Sequence, residues 1–295
     1  MGARTKLLAA ASLLAVSVLA PARRPDPAAA PVFATEDSLR EYTVSETTRV
    51  RSTRIPLLEL IRKAQEGERH KYDGIQTMAF NRTVKVSLEF GGRKPRTECH
   101  ESVVRVYFRR PNQWAEVELR TADYDVFPDG TRTPRDNDEQ SGGVRVEAGD
   151  ESASARKLEE VPAYLLYLDR FDFQILHRHL RANEVLYEIG FKPRSDFEML
   201  PNGRIWLLTS GYQIVREEFE FEKLPMPGIL KSVKLVTREW QEVEDHWVEK
   251  RITARANIGL VPVFGAPKAL EVVVLYDEYK FDLPIEDAVF EGAKR

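Results

Sequence analysis

The feature that most constrains the fold is a long alternation of apolar and polar residues between Gly74 and Phe90. Side chains on a β-strand point alternately to opposite faces, so such a pattern predicts a strand with one buried face and one solvated face. The even positions supply the buried face, with Met78, Phe80, Val84, Val86, Leu88 and Phe90. The sequence therefore predicts a long strand over residues 74–90.

Similar strand patterns recur along most of the chain, separated by Gly, Pro and Asn. They lie at 101–109, 113–120, 171–180, 184–192, 203–208, 212–222, 229–240, 243–256 and 269–281. The chain lacks the alternation of strands and helices that a parallel sheet requires. We expect a mainly β (α+β) fold with about ten antiparallel strands.

Only two segments favour a helix. Apolar residues recur at helical spacing over 54–66, where Pro56 suits a first turn and Gly67 a stop. A second, shorter helix is expected at 162–168. Both helices are small beside a sheet of ten strands.

The chain is expected to contain one folded domain behind an export signal. Residues 1–22 have a basic start and an apolar run too short to span a bilayer, which is typical of a signal peptide. Residues 23–52 resemble a flexible arm, and residues 53–295 a single domain. Between Asp123 and Glu151 nine acidic residues face three arginines, so residues 121–157 are expected to leave the sheet as an acidic loop.

Charge and cysteine content restrict the partners. The chain has 44 Lys and Arg against 47 Asp and Glu, a net charge of −3, which gives no bulk electrostatic basis for nucleic-acid binding. The single cysteine, Cys99, lies far from the expected cleavage site, so no thiol is available for lipidation there. We expect a soluble periplasmic or secreted protein with no stable transmembrane anchor.

Patterns that could support catalysis are weak. His177 and His179 share one strand face, but no third metal ligand is identifiable. Cys99 and His100 are adjacent, so on a strand they point to opposite faces. The acidic run from Asp123 to Gly130 has the wrong spacing for a calcium loop. We therefore expect no enzyme activity, no cofactor and no metal, and a hydrolase would need a nucleophile and base that the sequence does not reveal.

The apolar face of the sheet must be covered. It can close into a barrel, pack on a second sheet, or wrap around a helix and a ligand. Because the two helices are small, an apolar cavity beneath them is one expectation. A filled core without ligand is the other, and periodicity does not choose between them.

A family resemblance appears at Val106-Tyr-Phe-Arg-Arg110-Pro-Asn-Gln-Trp114. This segment resembles the strand, Arg-Pro-Asn and aromatic pattern of the LolA/LolB-like lipoprotein carrier and receptor superfamily, to which LppX-like lipid carriers are related. Further matches keep the family's order over residues 55–240, namely a helix before the first long strand, Asp129-Gly130, Pro162 to Leu166, Phe191-Lys-Pro193 and the strand pair at 203–206 and 214–219.

The resemblance implies an unclosed antiparallel half β-barrel whose concave face is covered by short helices and holds acyl chains. It places Arg110 where carriers of the family have an arginine that hydrogen-bonds the covering helix shut. The expected ligand is a lipid or an acylated lipoprotein. Its expected binding residues are Met78, Phe80, Val84, Val86, Leu88, Phe108, Arg110, Trp114, Trp206 and Phe219.

Two departures from the family pattern leave a second hypothesis open. Residues 131–138 are polar where the family continues with aromatic strand residues, and the chain runs some fifty residues past the matched region. The first hypothesis is a periplasmic carrier of acyl chains. The second is a non-catalytic envelope protein that docks on a protein partner through the same fold without lipid.

Overall fold

The alternation that begins at Gly74 forms strand β1 (Thr77–Phe90) in the computed structural model of the protein. The structure describes residues 55–92, 94–111, 113–135, 146–148, 162–181, 184–195, 200–221, 230–258 and 267–291. The expected signal peptide and arm, residues 1–52, lie outside these ranges.

Twelve strands and a few short helices make up the described chain. The helices are α1 (Leu57–His70), α2 (Ala163–Leu166), a 3₁₀ turn (Leu168–Arg170) and α3 (Asp287–Glu291). The other strands are β2 (Arg96–Arg109), β3 (Gln113–Val126), β4 (Arg132–Pro134), β5 (Val146–Ala148), β6 (Phe171–Arg181), β7 (Glu184–Pro193), β8 (Pro201–Leu208), β9 (Ile214–Phe221), β10 (Leu230–Val243), β11 (His246–Ile258) and β12 (Pro267–Phe281).

All the strands belong to one antiparallel sheet. Its order is β4-β3-β2-β1-β12-β11-β10-β9-β8-β7-β6, and β5 also pairs with β3. β1 and β12 pair along almost their whole lengths, which joins the first and last described strands near the centre of the sheet. No pairing within the described ranges connects β6 to β4, so the sheet stays open. The predicted fold class, an unclosed half-barrel with short covering helices, is confirmed.

Each of the ten predicted strands is present, with shifted ends. The clearest shift is at the β10–β11 hairpin, where the predicted strand start at residue 243 belongs instead to β10. Val243 pairs with His246, and Glu244 and Asp245 between them have φ of 50° and 65°. Two central residues with positive φ form a tight hairpin turn whose twist matches the strands.

The expected acidic loop at 121–157 differs from the structure in its first part. Residues 121–126 continue β3, paired with residues 97–102 of β2. The Asp129-Gly130 turn then returns the chain into β4, which pairs with Tyr124 to Val126. Polar residues can extend these strands because the outer face and the end of the sheet are solvated. Most of residues 136–157 lies outside the described ranges.

Helix α1 covers part of the concave face. Leu60, Ile61 and Ala64 are fully buried and join a core with side chains of β1, β7 to β12 and α2. The helix continues past its expected stop at Gly67, because Gly67 is the point of closest approach to the β8–β9 turn. A Cβ at Gly67 would lie only 3.2 Å from the Tyr212 carbonyl oxygen.

A second, aromatic core lies at the start of β1. Phe80 is 2% exposed, and its ring centroid lies 5.0 Å from that of Tyr279 and 6.1 Å from that of Trp114. Met78, Val106, Phe108 and Ile75 complete the buried part of this cluster. The end of the sheet formed by β1, β2, β3 and β12 is thus filled by its own side chains.

Replacing Phe80 with Ala tests this filled core. Removing a buried aromatic ring leaves a cavity and typically costs about 3–5 kcal/mol. We expect Phe80→Ala to lower the free energy of unfolding in urea by that amount. Leu119→Ala is the control, because Leu119 is 55% exposed and its loss should change stability by less than about 0.5 kcal/mol. Equal stability of both variants would contradict the assignment of Phe80 to a buried core.

Candidate functional site

A cavity of about 1580 Å³ lies at the β6–β9 part of the sheet, beside the first residues of α1. Its apolar walls include Ile55, Leu57, Phe173, Ile175, Phe191 and Phe219. Polar and charged side chains border it in similar number, namely Asp172, Gln174, Arg178, Lys192, Asn202, Arg204, Glu218 and Glu220. The cavity therefore combines apolar walls with hydrogen-bonding groups.

The wall depends on a close approach of two strands at Gly203. A Cβ at this position would lie 2.0 Å from the Glu218 carbonyl oxygen and 2.7 Å from Cα of Phe219. Only glycine permits this contact between β8 and β9. Phe219, paired with Gly203, is the one residue of the predicted binding set that borders the cavity.

Seven of the other predicted binding residues lie in two hydrophobic cores. Met78, Phe80, Phe108 and Trp114 belong to the aromatic cluster. Val86 and Leu88, with the partly buried Val84, pack into the core beneath α1. The even-numbered apolar side chains of β1 are buried, but they pack against other side chains and do not border the cavity.

Trp206 lies on the opposite face from the one expected. Its neighbours Ile205 and Leu207 are fully buried in the core beneath α1, and side chains alternate along β8. The Trp206 ring packs instead between Arg204 and Arg216, whose guanidinium carbons lie 5.1 and 5.2 Å from its centroid. Trp206 thus belongs to a charged network whose carboxylates are Glu188, Glu218 and Glu239. Arg204 and Glu218 of this network also border the cavity.

Arg110 binds the chain that follows α1. Its Nε donates to the Ile75 carbonyl at 2.9 Å, and its Nη2 donates to the Tyr72 carbonyl at 2.8 Å. Asp73 lies 4.0 Å from the same guanidinium. The rigid fork of arginine suits this double contact with two backbone acceptors. The contact holds the segment after α1 over the aromatic cluster, to which Tyr72 and Ile75 belong.

Two further polar contacts hold the helix from its sides. Lys63 donates to the Tyr212 hydroxyl at 3.2 Å and lies 4.5 Å from the centre of that ring. Gln65 donates to the Leu165 carbonyl of α2 at 2.5 Å. Together with Arg110 these contacts hold the second half of α1, whereas Ile55 and Leu57 at its start border the cavity.

A buried ionic cluster connects the helices to the sheet. Arg238 of β10 donates to Glu217 of β9 at 3.0 Å and to Glu249 of β11 at 2.6 Å. The Tyr164 hydroxyl of α2 donates to the second oxygen of Glu217. The Glu217 side chain is only 1% exposed. Removing one partner from such a cluster would leave an uncompensated charge in the core.

The end of α1 extends this cluster. Lys71 donates to Glu68 at 3.0 Å, and both side chains are buried. Lys71 lies 4.4 Å from the centre of the Trp240 ring, and the Arg238 guanidinium carbon lies 5.1 Å from the same ring. The two cations therefore meet the same indole, which links α1 to β10 by cation–π contacts.

Burial shifts the pKa values of this cluster. Desolvation raises the pKa of Glu217 above its ordinary value of 4.5, although Arg238 and the Tyr164 hydrogen bond oppose the shift. Desolvation lowers the pKa of Lys71 and raises that of Tyr164 well above its ordinary value. The carboxylates around Arg238 raise its pKa well above the ordinary value despite its burial.

This cluster was not predicted from the sequence, but a signal for it was present. Phe219 is an expected inward residue, and Glu217 lies two positions before it on the same strand face. Likewise Arg238 lies between Val236 and Trp240, both buried. A charged residue at an inward position of an apolar strand face indicates a buried pair, because a lone buried charge is too costly.

The weak catalytic patterns do not form a site in the described residues. The rings of His177 and His179 lie 5.9 Å apart, and no group of three metal-binding side chains occurs within the described ranges. His100 contacts Asp123 at 2.8 Å, whereas Cys99 is buried with its sulfur 3.6 Å from the Ser87 hydroxyl. The Asp129 carboxylate accepts the Thr131 backbone N–H at 2.9 Å, which is a turn contact that lowers its pKa.

Comparison with known proteins gives only distant structural similarities. No model of a known family matches the sequence, and no curated protein matches it. Among solved structures, the chain is similar to a DUF1329 family protein from Desulfovibrio piger, with 12% identity over 81% of this chain and 98% of that one, at a TM-score of 0.35.

Two other similar structures carry names of the superfamily that the sequence resembles. One, from Vibrio parahaemolyticus, is named for outer membrane lipoprotein sorting, with 12% identity over 80% of this chain and 98% of that one, at a TM-score of 0.34. The other is a LolA superfamily protein from Nitrosomonas europaea, with 10% identity over 80% and 98% of the two chains, at a TM-score of 0.29.

None of the helices in the described part of the chain has the length and apolar character needed to cross a bilayer.

Replacing Arg110 with Leu tests its contact with the segment after α1. Hydrogen bonds from a charged donor contribute about 1.5–3 kcal/mol, and the Tyr72 and Ile75 carbonyls would lose theirs. We expect a loss of stability in that range and faster amide exchange over residues 71–76. Arg120→Leu is the control, because its ion pair with Glu101 is exposed and should contribute less than about 1 kcal/mol. Unchanged exchange in Arg110→Leu would exclude a role in holding this segment.

The pH dependence of stability tests the burial of Glu217. Because its pKa is raised in the folded protein, folding takes up a proton at pH values between the ordinary pKa of 4.5 and the raised one. The wild type should therefore gain stability relative to Glu217→Gln as the pH falls from 7 toward about 4.5. Urea unfolding at several pH values measures this difference. A wild type that loses stability relative to Glu217→Gln over this range would contradict the direction.

Proposed function

We propose that this chain is a non-catalytic carrier that holds acyl chains of lipids or lipoproteins in the cavity beside α1. The observation that supports it is the cavity itself. Sites for small molecules typically measure about 300–1,000 Å³, so a cavity of about 1580 Å³ has room for a larger ligand. Its apolar walls fit hydrocarbon, and its polar border fits a headgroup or peptide amide.

The energetics favour such a ligand. Each buried methylene contributes about 0.8 kcal/mol, so a chain of ten to fifteen methylenes gains roughly 8–12 kcal/mol. A cavity in an open half-barrel can accept chains of different lengths because it is not closed at its end. The order of motifs in the sequence, which resembles that of lipoprotein carriers, supports the same ligand class.

We also propose that the protein acts in the periplasm. In this proposal residues 1–22 are removed on export, residues 23–52 form an arm, and residues 53–295 form the single carrier domain. The absence of a cysteine near the expected cleavage site supports a protein that is not lipidated. The alternative, an envelope protein that docks on a partner without lipid, is an outcome of the test below.

The test compares two substitutions on β6. Ile175 is partly buried and borders the cavity, whereas Leu180 is 60% exposed on the same strand and does not border it. The wild type, purified without detergent, should carry an extractable acylated molecule by native mass spectrometry. Ile175→Asp should lose it, because a carboxylate in the apolar wall is costly to desolvate. Leu180→Asp should keep it.

Binding of a fluorescent fatty acid gives a second readout with the same variants. We expect Ile175→Asp to weaken binding at least tenfold and Leu180→Asp to bind as the wild type does. Circular dichroism and thermal unfolding establish that both variants fold. A wild type without bound lipid and without affinity for the probe would favour the docking protein over the carrier.

A further inference from the structure

The terminal strand of the sheet exposes an unusual run of five residues. Leu176, His177, Arg178, His179 and Leu180 are all exposed. Leu176 is 42% exposed, and Leu180, at 60%, is the most exposed of the large apolar side chains among the described residues. We call residues 176–180 the β6 edge segment.

The position of this segment makes exposed leucines unfavourable, because they increase the risk of aggregation. β6 ends the sheet and pairs only with β7 within the described chain. Natural proteins usually protect such edges with charge, proline or a covering element, because exposed apolar edge strands promote aggregation. Exposed apolar side chains at an edge therefore indicate a surface that meets another apolar phase or partner.

The segment is continuous with the cavity. Leu176 packs over Gly190, where a Cβ would lie 3.2 Å from the leucine side chain, and Leu176 and Arg178 both border the cavity. Leu235 of β10, 45% exposed, borders it as well. Whatever contacts the β6 edge segment therefore also meets the border of the cavity.

The charges of the segment have one sign. Between its leucines lie an arginine and two histidines and no acidic residue. Glu188, opposite on β7, lies 3.8 Å from His179, but its side chain is only 8% exposed and accepts a hydrogen bond from Arg204 at 3.0 Å. The cavity border adds the exposed Lys192, but also the exposed Asp172 and Glu220. The segment itself is thus apolar with one arginine and no acidic residue, whereas the cavity border beside it carries side chains of both signs.

We propose that the β6 edge segment docks this protein on the surface of a bilayer that contains anionic lipid. The leucines enter the boundary between headgroups and acyl chains, and Arg178 meets lipid phosphates. Two leucines and one arginine give weak, reversible binding, as a carrier needs in order to leave. The proposal rests on the proposed carrier function for its purpose, since docking brings the cavity border to a lipid source.

Vesicle sedimentation tests the proposal with the full chain. Vesicles of phosphatidylglycerol and phosphatidylethanolamine should bind the wild type, and binding should fall with added salt. Vesicles of phosphatidylcholine alone should bind more weakly. Leu180→Asp should reduce binding to the anionic vesicles at least tenfold, whereas Leu275→Asp, at an exposed leucine on β12, should not.

The same variants separate docking from ligand binding. Leu180→Asp is expected to keep its bound ligand but lose vesicle binding, and Ile175→Asp is expected to show the reverse. Bound ligand without vesicle binding by the wild type would overturn docking alone, and vesicle binding without any ligand would leave docking in place while contradicting the carrier. Equal binding by Leu180→Asp and the wild type would overturn the proposal. So would a leucine-dependent change of oligomeric state without vesicle binding, which would assign the edge to a second copy of the chain.

Discussion

The apolar face of the open sheet is the constraint on which the rest of the structure depends. Eleven strands about 4.8 Å apart span roughly 48 Å, whereas a helix of 14 residues is about 21 Å long. One helix therefore cannot cover the face. Aromatic side chains fill the end near β1, β2, β3 and β12, α1 and α2 cover the middle, and the cavity lies toward β6. The apolar face is divided into an aromatic cluster, a part covered by helices and a cavity because the sheet is wider than the helix is long.

Polar contacts give the covering helix a defined position. Apolar contacts alone would fix α1 poorly, because burial is non-directional. Arg110, the Lys63 contact with Tyr212 and the ionic cluster around Arg238 are directional, and they hold the second half of the helix. Buried ion pairs add little net stability compared with well-packed apolar residues, so orientation is the better account of their presence. The first turn of α1 has fewer such contacts and borders the cavity.

The alternation of residues was sufficient to predict the strands, the antiparallel sheet and the inward face of β1. It did not predict which part of that face meets a helix, an aromatic cluster or a cavity, because the answer depends on side chains from strands distant in sequence. Phe80 illustrates this, since its partner Tyr279 comes from the last strand. Gly67 failed as a stop signal because a glycine also serves close packing between a helix and a turn.

The strands that form the candidate site were predictable from the sequence, but the site itself was not. Trp206 stands in a run of apolar residues from Ile205 to Leu208, and in such a run alternation cannot assign a face. The cavity walls at Phe173, Ile175 and Phe191 come from predicted strands, but their common location appears only when β6 and β7 end the sheet.

The cavity and the exposed edge have the same physical origin. A strand in the middle of a sheet has a neighbouring strand on each side, so the side chains of both neighbours flank its own inward side chains. Within the described part of the chain β6 has one neighbour, β7, and Phe173 and Ile175 are only partly buried while Leu180 is exposed. In a closed barrel the opposite edge would cover these side chains. Leaving the sheet open therefore produces at one edge both a partly apolar cavity and exposed apolar side chains beside it.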